Sequence, residues 1–163
     1  EYYTASYLGE AYMPVLDQED VSLKFKTRVG YGDGFGDSDG LPFLKNFFAG
    51  GIRTVRGYKY NSLGPVDNKG EQVGGNVLLT GTAALQFPMP GVKETDQARL
   101  SLFSDAGQVY ADSAKLEDLR YSAGFAVAWM TPIGPLSFTY ASALNSESGD
   151  ETEGFQFSIG SAF

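Results

Sequence analysis

Val21–Tyr31 reads VSLKFKTRVGY. Val21, Leu23, Phe25, Thr27, Val29 and Tyr31 fall on one face, and Ser22, Lys24, Lys26, Arg28 and Gly30 on the other. Strict alternation over this length marks a β-strand with two unlike faces. One face carries three cations and the other an unbroken row of mostly bulky side chains. A strand built this way needs water on one side and an apolar medium on the other.

Six further stretches alternate in the same sense. Tyr3, Ala5, Tyr7, Gly9 and Ala11 oppose Thr4, Ser6, Leu8 and Glu10. Val77, Leu79, Ala83, Leu85 and Phe87 oppose Asn76, Thr80, Thr82 and Gln86. Alternation is weaker from Arg99 to Tyr110. Leu119, Tyr121, Ala123, Phe125, Val127 and Trp129 oppose Arg120, Ser122, Gly124, Ala126 and Ala128. Leu136, Phe138 and Tyr140 oppose Ser137, Thr139 and Ala141. In the last stretch Phe155, Phe157, Ile159 and Phe163 oppose Gln156, Ser158, Gly160 and Ala162. No helix-period stretch competes. Several runs are longer than the 5–6 residues typical of soluble sheets and close to the 9–11 of tilted strands crossing a bilayer.

The connections support a membrane barrel. Pro14–Asp20 and Thr131–Pro135 are short and hold proline, whereas Gly32–Gly75, Ala111–Asp118 and Asn145–Glu153 are longer or acidic. Pro88–Gln97 is of medium length and belongs by parity to the short-turn side. Short turns at one end and longer loops at the other is the plan of an outer-membrane barrel, with its terminus in the periplasm. A soluble sandwich also alternates, but it buries its apolar faces against a second sheet. Tyr31, Tyr110 and Trp129 near strand ends fit interfacial girdles. The expected fold is an all-β, antiparallel, up-and-down transmembrane β-barrel, of which about seven strands are present, with no helix beyond a short turn in a loop.

Composition narrows the function. The 163 residues include no Cys and no His, and the net charge is −8. Disulfides, thiolate metal sites and histidine bases are thereby excluded. The acidic balance argues against nucleic acid and against a polybasic membrane anchor. The carboxylate groups Asp17, Glu19, Asp20 and Glu147, Asp150, Glu151, Glu153 fall in turns and read as solvated charge. Asp33, Asp37 and Asp39 lack the spacing and closing Glu of a calcium loop. No catalytic residues, metal site or cofactor are expected. No run reaches the roughly 18 apolar residues of a membrane helix, no signal peptide is visible, and the chain does not begin with Met. It reads as a piece of a longer, processed protein.

The long connection between the second and third strands is the candidate functional element. Ordinary loops run about 4–6 residues; this one is rich in Phe, Tyr, Leu, Ile and Val and must bury itself. Its centre is Gly50–Pro65, GGIRTVRGYKYNSLGP. Arg56 is a permanent cation with a planar five-donor fork, and Gly57 permits a turn that residues with a Cβ resist. Val55, Arg56, Gly57 and Tyr58 therefore suit a loop tip that carries a guanidinium to a fixed carboxylate; an ordinary Arg-Gly turn is the plainer alternative.

Val55–Tyr58, set between Phe47–Gly51 and Asn61–Pro65, resembles the signature loop of the BamA family of outer-membrane assembly factors. Arg28–Gly34, Val73–Asn76, Phe103–Gly107, Trp129–Leu136 and Phe155–Gly160 resemble further stretches of that family in the same order. The loop motif is shared with the wider superfamily, including TamA, the two-partner secretion transporters and organelle import pores. The resemblance covers essentially the whole chain. It implies residues 1–163 as the C-terminal part of a barrel of about sixteen strands, with N-terminal strands and periplasmic repeats missing. It implies that the loop, about 32–75, is extracellular and folds back into the lumen, where Arg56 meets Asp105. The family commonly has a second acid where this chain has Gln86, which carries no charge and can add a neutral hydrogen bond in place of a second ionic contact.

The last strand carries the remaining candidates. Phe155, Phe157, Ile159 and Phe163 share one face, and a terminal aromatic in that phase resembles an outer-membrane sorting signal. Gly160 lies in the expected edge, where glycine weakens pairing or permits a bend. The resemblance implies a weak lateral seam at this strand and a function in inserting unfolded barrel precursors into the bacterial outer membrane, aided by assembly-complex lipoproteins that contact the missing domains. A two-partner secretion or TamA-like pore is the alternative, and a passive porin a third. A half-barrel leaves edge amides unsatisfied in lipid, so the piece is expected either to pair with a second copy or to be held in detergent.

Overall fold

The computed structural model describes residues 1–15, 20–36, 40–92 and 97–160. Phe163 and Ala162 lie outside the described residues, as do Asp17, Glu19, Asp37 and Asp39, and with them the expected sorting signal.

Among the described residues nine strands form: β1 (Tyr2–Pro14), β2 (Ser22–Gly34), β3 (Gly57–Tyr58), β4 (Val77–Pro88), β5 (Ala98–Tyr110), β6 (Arg120–Thr131), β7 (Gly134–Ala143), β8 (Thr152–Glu153) and β9 (Phe155–Ile159). Seven make one sheet in the order β1-β2-β4-β5-β6-β7-β9. Every neighbouring pair is antiparallel, so the chain runs up and down without a crossover. The edges are β1 and β9. Single 3₁₀ turns at Phe43–Lys45 and Leu116–Asp118 are the helical elements among the described residues.

The alternation in sequence becomes two faces in space. Phe25, Val29, Tyr31, Tyr121, Phe125, Trp129, Phe138, Tyr140, Phe155, Phe157 and Ile159 are exposed on the outer face. Phe125 and Tyr140 stack there with ring centres 5.8 Å apart. An exposed apolar face of this extent is an aggregation hazard in water and the lipid-facing band of a membrane barrel. Of the opposite residues, Lys24, Asp105, Arg120, Ser122, Ser137 and Thr139 are buried, whereas Lys26 is half-buried and Arg28 exposed.

The 40–76 segment of the long loop packs on that inner face. Its Ala49, Val55, Tyr58 and Leu63 form one apolar cluster with Leu78 of β4 and Val109 of β5. Internal bridges Phe47↔Gly75, Ala49↔Leu63 and Val66↔Gln72 hold the segment in shape. The aromatic content that ruled out a solvated linker is thus used, in part, to bury the loop against the sheet.

Two features depart from the sequence reading. Among the described residues the last strand runs to Ile159, and Gly160 follows it with φ +84°. That left-handed conformation is a bend of the kind glycine permits, placed just past Ile159 rather than inside the strand; its N–H bonds Pro135 O at 2.8 Å. The second is the two-stranded sheet of β3 and β8, in which Gly57 and Tyr58 pair with Glu153 and Thr152.

Candidate functional site

The loop tip is positioned by fit as much as by bonds. Val55 is fully buried over β5. A Cβ on Gly107 would lie 2.7 Å from its Cγ2, so only glycine leaves room for it. Gly57 has φ +87°, and a Cβ there would meet Ala141 of β7 at 3.2 Å. Backbone conformation and close approach both require glycine at that position.

Between these two contacts Arg56 reaches Asp105. Nε donates to Oδ2 and Nη2 to Oδ1, each at 2.7 Å, and the Arg56 backbone N–H donates to Oδ2 at 3.0 Å. The Arg56 guanidinium carbon stands 3.3 Å from the centre of the Phe103 ring, two residues before Asp105 on the same face of β5. Both charged side chains are almost wholly buried. The parallel bonds use the fork geometry of arginine, and the ring supplies a face on which that plane can stack.

The fourth bond to Asp105 comes from Thr82, whose hydroxyl donates to Oδ1 at 2.8 Å. Gln86 does not occupy this place. The register sets Thr82 opposite Asp105 and Gln86 opposite Ser101. Four residues along a strand is about 13 Å, so Gln86 lines the same cavity below the lock. The neutral hydrogen bond expected of Gln86 belongs to Thr82.

That cavity, about 480 Å³, lies between the loop tip and the inner face of β1, β2, β4 and β5. Lys24, Lys26, Arg28, Arg53 and Arg56 are in its wall. Glu10 of β1 ion-pairs with Lys24 at 3.9 Å and Lys26 at 3.6 Å.

On its other side the tip is strapped to the 144–154 connection. Beyond the β3–β8 pair, Lys59 N–H donates to Glu151 O at 2.9 Å and Ser62 Oγ to the same oxygen at 3.2 Å. The Lys59 ammonium pairs with the Glu151 carboxylate, a bond that raises its pKa above the usual lysine value. Gln156 of β9, buried on the inner face, donates Nε2 to Tyr58 O at 2.7 Å and to Glu153 Oε2 at 3.2 Å. The Tyr58 hydroxyl lies 3.4 Å from Tyr121 O; burial pushes its pKa up, with Asp150 adding to the effect. The 144–154 connection is itself pinned by Arg120, which binds Asp150 at 2.6 Å and Glu147 at 2.9 Å. These two acids, read from sequence as solvated charge, are engaged.

Phe155, Phe157 and Ile159 are exposed on the outer face of β9. Of the residues that complete the site, Phe103 was legible as a same-face neighbour of Asp105. Thr82 and Gln156 were visible only as polar members of alternating strands.

The whole chain, residues 1–163, matches the Omp85 superfamily domain. It is 36% identical to the outer membrane protein assembly factor BamA of Neisseria meningitidis, over 100% of this chain and 24% of that protein. It is 31% identical to BamA of Neorickettsia risticii, over 93% of this chain and 21% of that protein. The crystal structure of BamA from Haemophilus ducreyi lacking POTRA domains 1–3 superposes with a TM-score of 0.87 at 28% identity, covering 96% of this chain and 34% of that one. The chain therefore spans about a quarter or less of the length of these two relatives.

Proposed function

The chain belongs to the Omp85 superfamily and is part of an outer-membrane β-barrel, and from that premise we propose that it supplies the locked loop and the lateral seam of a barrel insertase. In this reading the protein takes unfolded barrel precursors and, with partner lipoproteins bound elsewhere on the full protein, assists their folding into the membrane without chemistry or cofactor. The 35–76 segment is then an extracellular loop folded into the lumen, held there by Arg56 on Asp105.

One observation carries the seam. Among the described residues the sheet ends on β9, five residues long, while its other strands have ten residues or more. Its outer edge faces no strand among the described residues. An unpaired edge offers its backbone groups to another strand, and a short ladder is cheaper to open than a long one.

The test uses the full-length protein. Cysteines placed along 155–159, in a segment that has none of its own, should crosslink to strands of a precursor during insertion. Absence of any crosslink in an actively inserting complex overturns the reading. The secretion-pore alternative predicts instead passage of an extended substrate with no strand-to-strand crosslink at β9.

A further inference from the structure

The loop tip and the seam strand are joined directly. Gln156 is the second residue of β9, its backbone opposite Thr139 of β7. Its side chain crosses to the carbonyl of Tyr58, 98 positions earlier, and to the carboxylate of Glu153. Glu153 in turn pairs with Gly57. Two residues of the Val-Arg-Gly-Tyr tip are thus clasped by the segment that leads into the last strand, while the Arg56 before them is bound to the middle of β5.

We propose that Gln156 is a positioning residue that couples the lock at Arg56 to the pairing of β9, so that seating the loop closes the seam and releasing it loosens the seam. This rests on the seam reading given above. Three observations point the same way. Gln156 acts purely as a donor: its Oε1 accepts no bond among the described residues, so the side chain is oriented by what it gives to Tyr58 and Glu153. The β3–β8 sheet is two residues wide on each strand, too short to persist without the groups that flank it. And among the described residues β9 is the shortest strand of the main sheet, so a single side-chain tether is a large share of what holds it there.

The chemistry sets the order of variants. Gln156→Ala removes the donor. Gln156→Glu keeps the size but sets a carboxylate against the Tyr58 carbonyl and the Glu153 carboxylate, and should be at least as disruptive. Gln156→Asn keeps the amide on a stem one methylene shorter and serves if the others do not assemble.

Hydrogen exchange of the full-length protein in bilayer nanodiscs tests the coupling. Arg56→Ala should speed exchange of the β7–β9 ladder amides, although Arg56 contacts neither strand through the lock. Gln156→Ala should speed the same amides by roughly three- to tenfold, the range of one net hydrogen bond. The double variant should add little to the faster single one, because both break one linkage. A loop freed by Arg56→Ala with the ladder amides at the parent rate overturns the coupling. So do effects of the two substitutions that multiply in the double variant. Precursor insertion measured on the same samples separates the two readings: coupled exchange with unchanged insertion upholds the clasp and removes the seam function.

Discussion

Arg56 sits over Phe103, its guanidinium carbon 3.3 Å from the ring centre, while its Nε and Nη2 fork onto Asp105. Lysine can reproduce the charge but neither the fork nor the stack. Arg56→Lys should therefore expose the 35–76 loop to protease almost as fast as Arg56→Ala does in the intact barrel. Losing one partner of a buried pair costs about 3–5 kcal/mol, and water in the cavity below lowers that figure. Protection of the loop by lysine equal to that by arginine would contradict the geometry.

Asp105 accepts four bonds, three from Arg56 and one from Thr82. Asp105→Asn turns one acceptor oxygen into a donor facing donors and should unseat the loop as fully as Arg56→Ala. Thr82→Val should cost about 1.5–3 kcal/mol, the usual range for a bond to a charged group. Gln86→Ala should leave loop protection at the parent level, since Gln86 pairs with Ser101 in a different row. Loosening by Gln86→Ala as strong as by Thr82→Val would mean the register is wrong.

Gly57→Ala meets two obstacles, a φ of +87° and the Ala141 Cβ at 3.2 Å. The left-handed backbone alone costs about 1–2 kcal/mol. Ala141→Gly in the same chain removes the contact but not the backbone strain, so it should restore loop protection only in part. Full rescue would show that contact alone dictates glycine here.

Phe125 projects from the middle of β6 on the outer face, stacked on Tyr140. Phe125→Lys should cost about 2–4 kcal/mol, the penalty for a cation on the lipid face near the bilayer midplane. Lys26→Ser, on the cavity side, should cost far less. Denaturant titration of the barrel in lipid compares them, and equal costs would mean that the two faces are not unlike in environment.

The sheet was legible because a period of two survives in every long strand, even where Ala and Gly dilute it. The lock was legible because Arg-Gly in an apolar loop asks for a buried acid, and the resemblance singled out Asp105. The register was not. Alternation says which face a residue is on, not which residue lies opposite, so Gln86 was credited with the bond that Thr82 makes. The β3–β8 clasp left no mark either: two residues carry no period, and the partners stand about 95 positions apart. Gly160 was read as a strand residue because sequence cannot reveal a positive φ at the end of a strand.

That clasp also fixes an order of events. Asp105 follows Arg56 by 49 positions, and Gln156 follows Tyr58 by 98. During synthesis the loop exists long before the groups that will hold it, and contacts so far apart in the chain form late and slowly. A chain stopped short of about residue 150 has Asp105 and Ala141 but lacks Thr152, Glu153 and Gln156, which clasp Gly57 and Tyr58. The closed loop is therefore a signature of a chain whose last strand has been made and paired, and a protease that finds the loop open distinguishes unfinished molecules from finished ones.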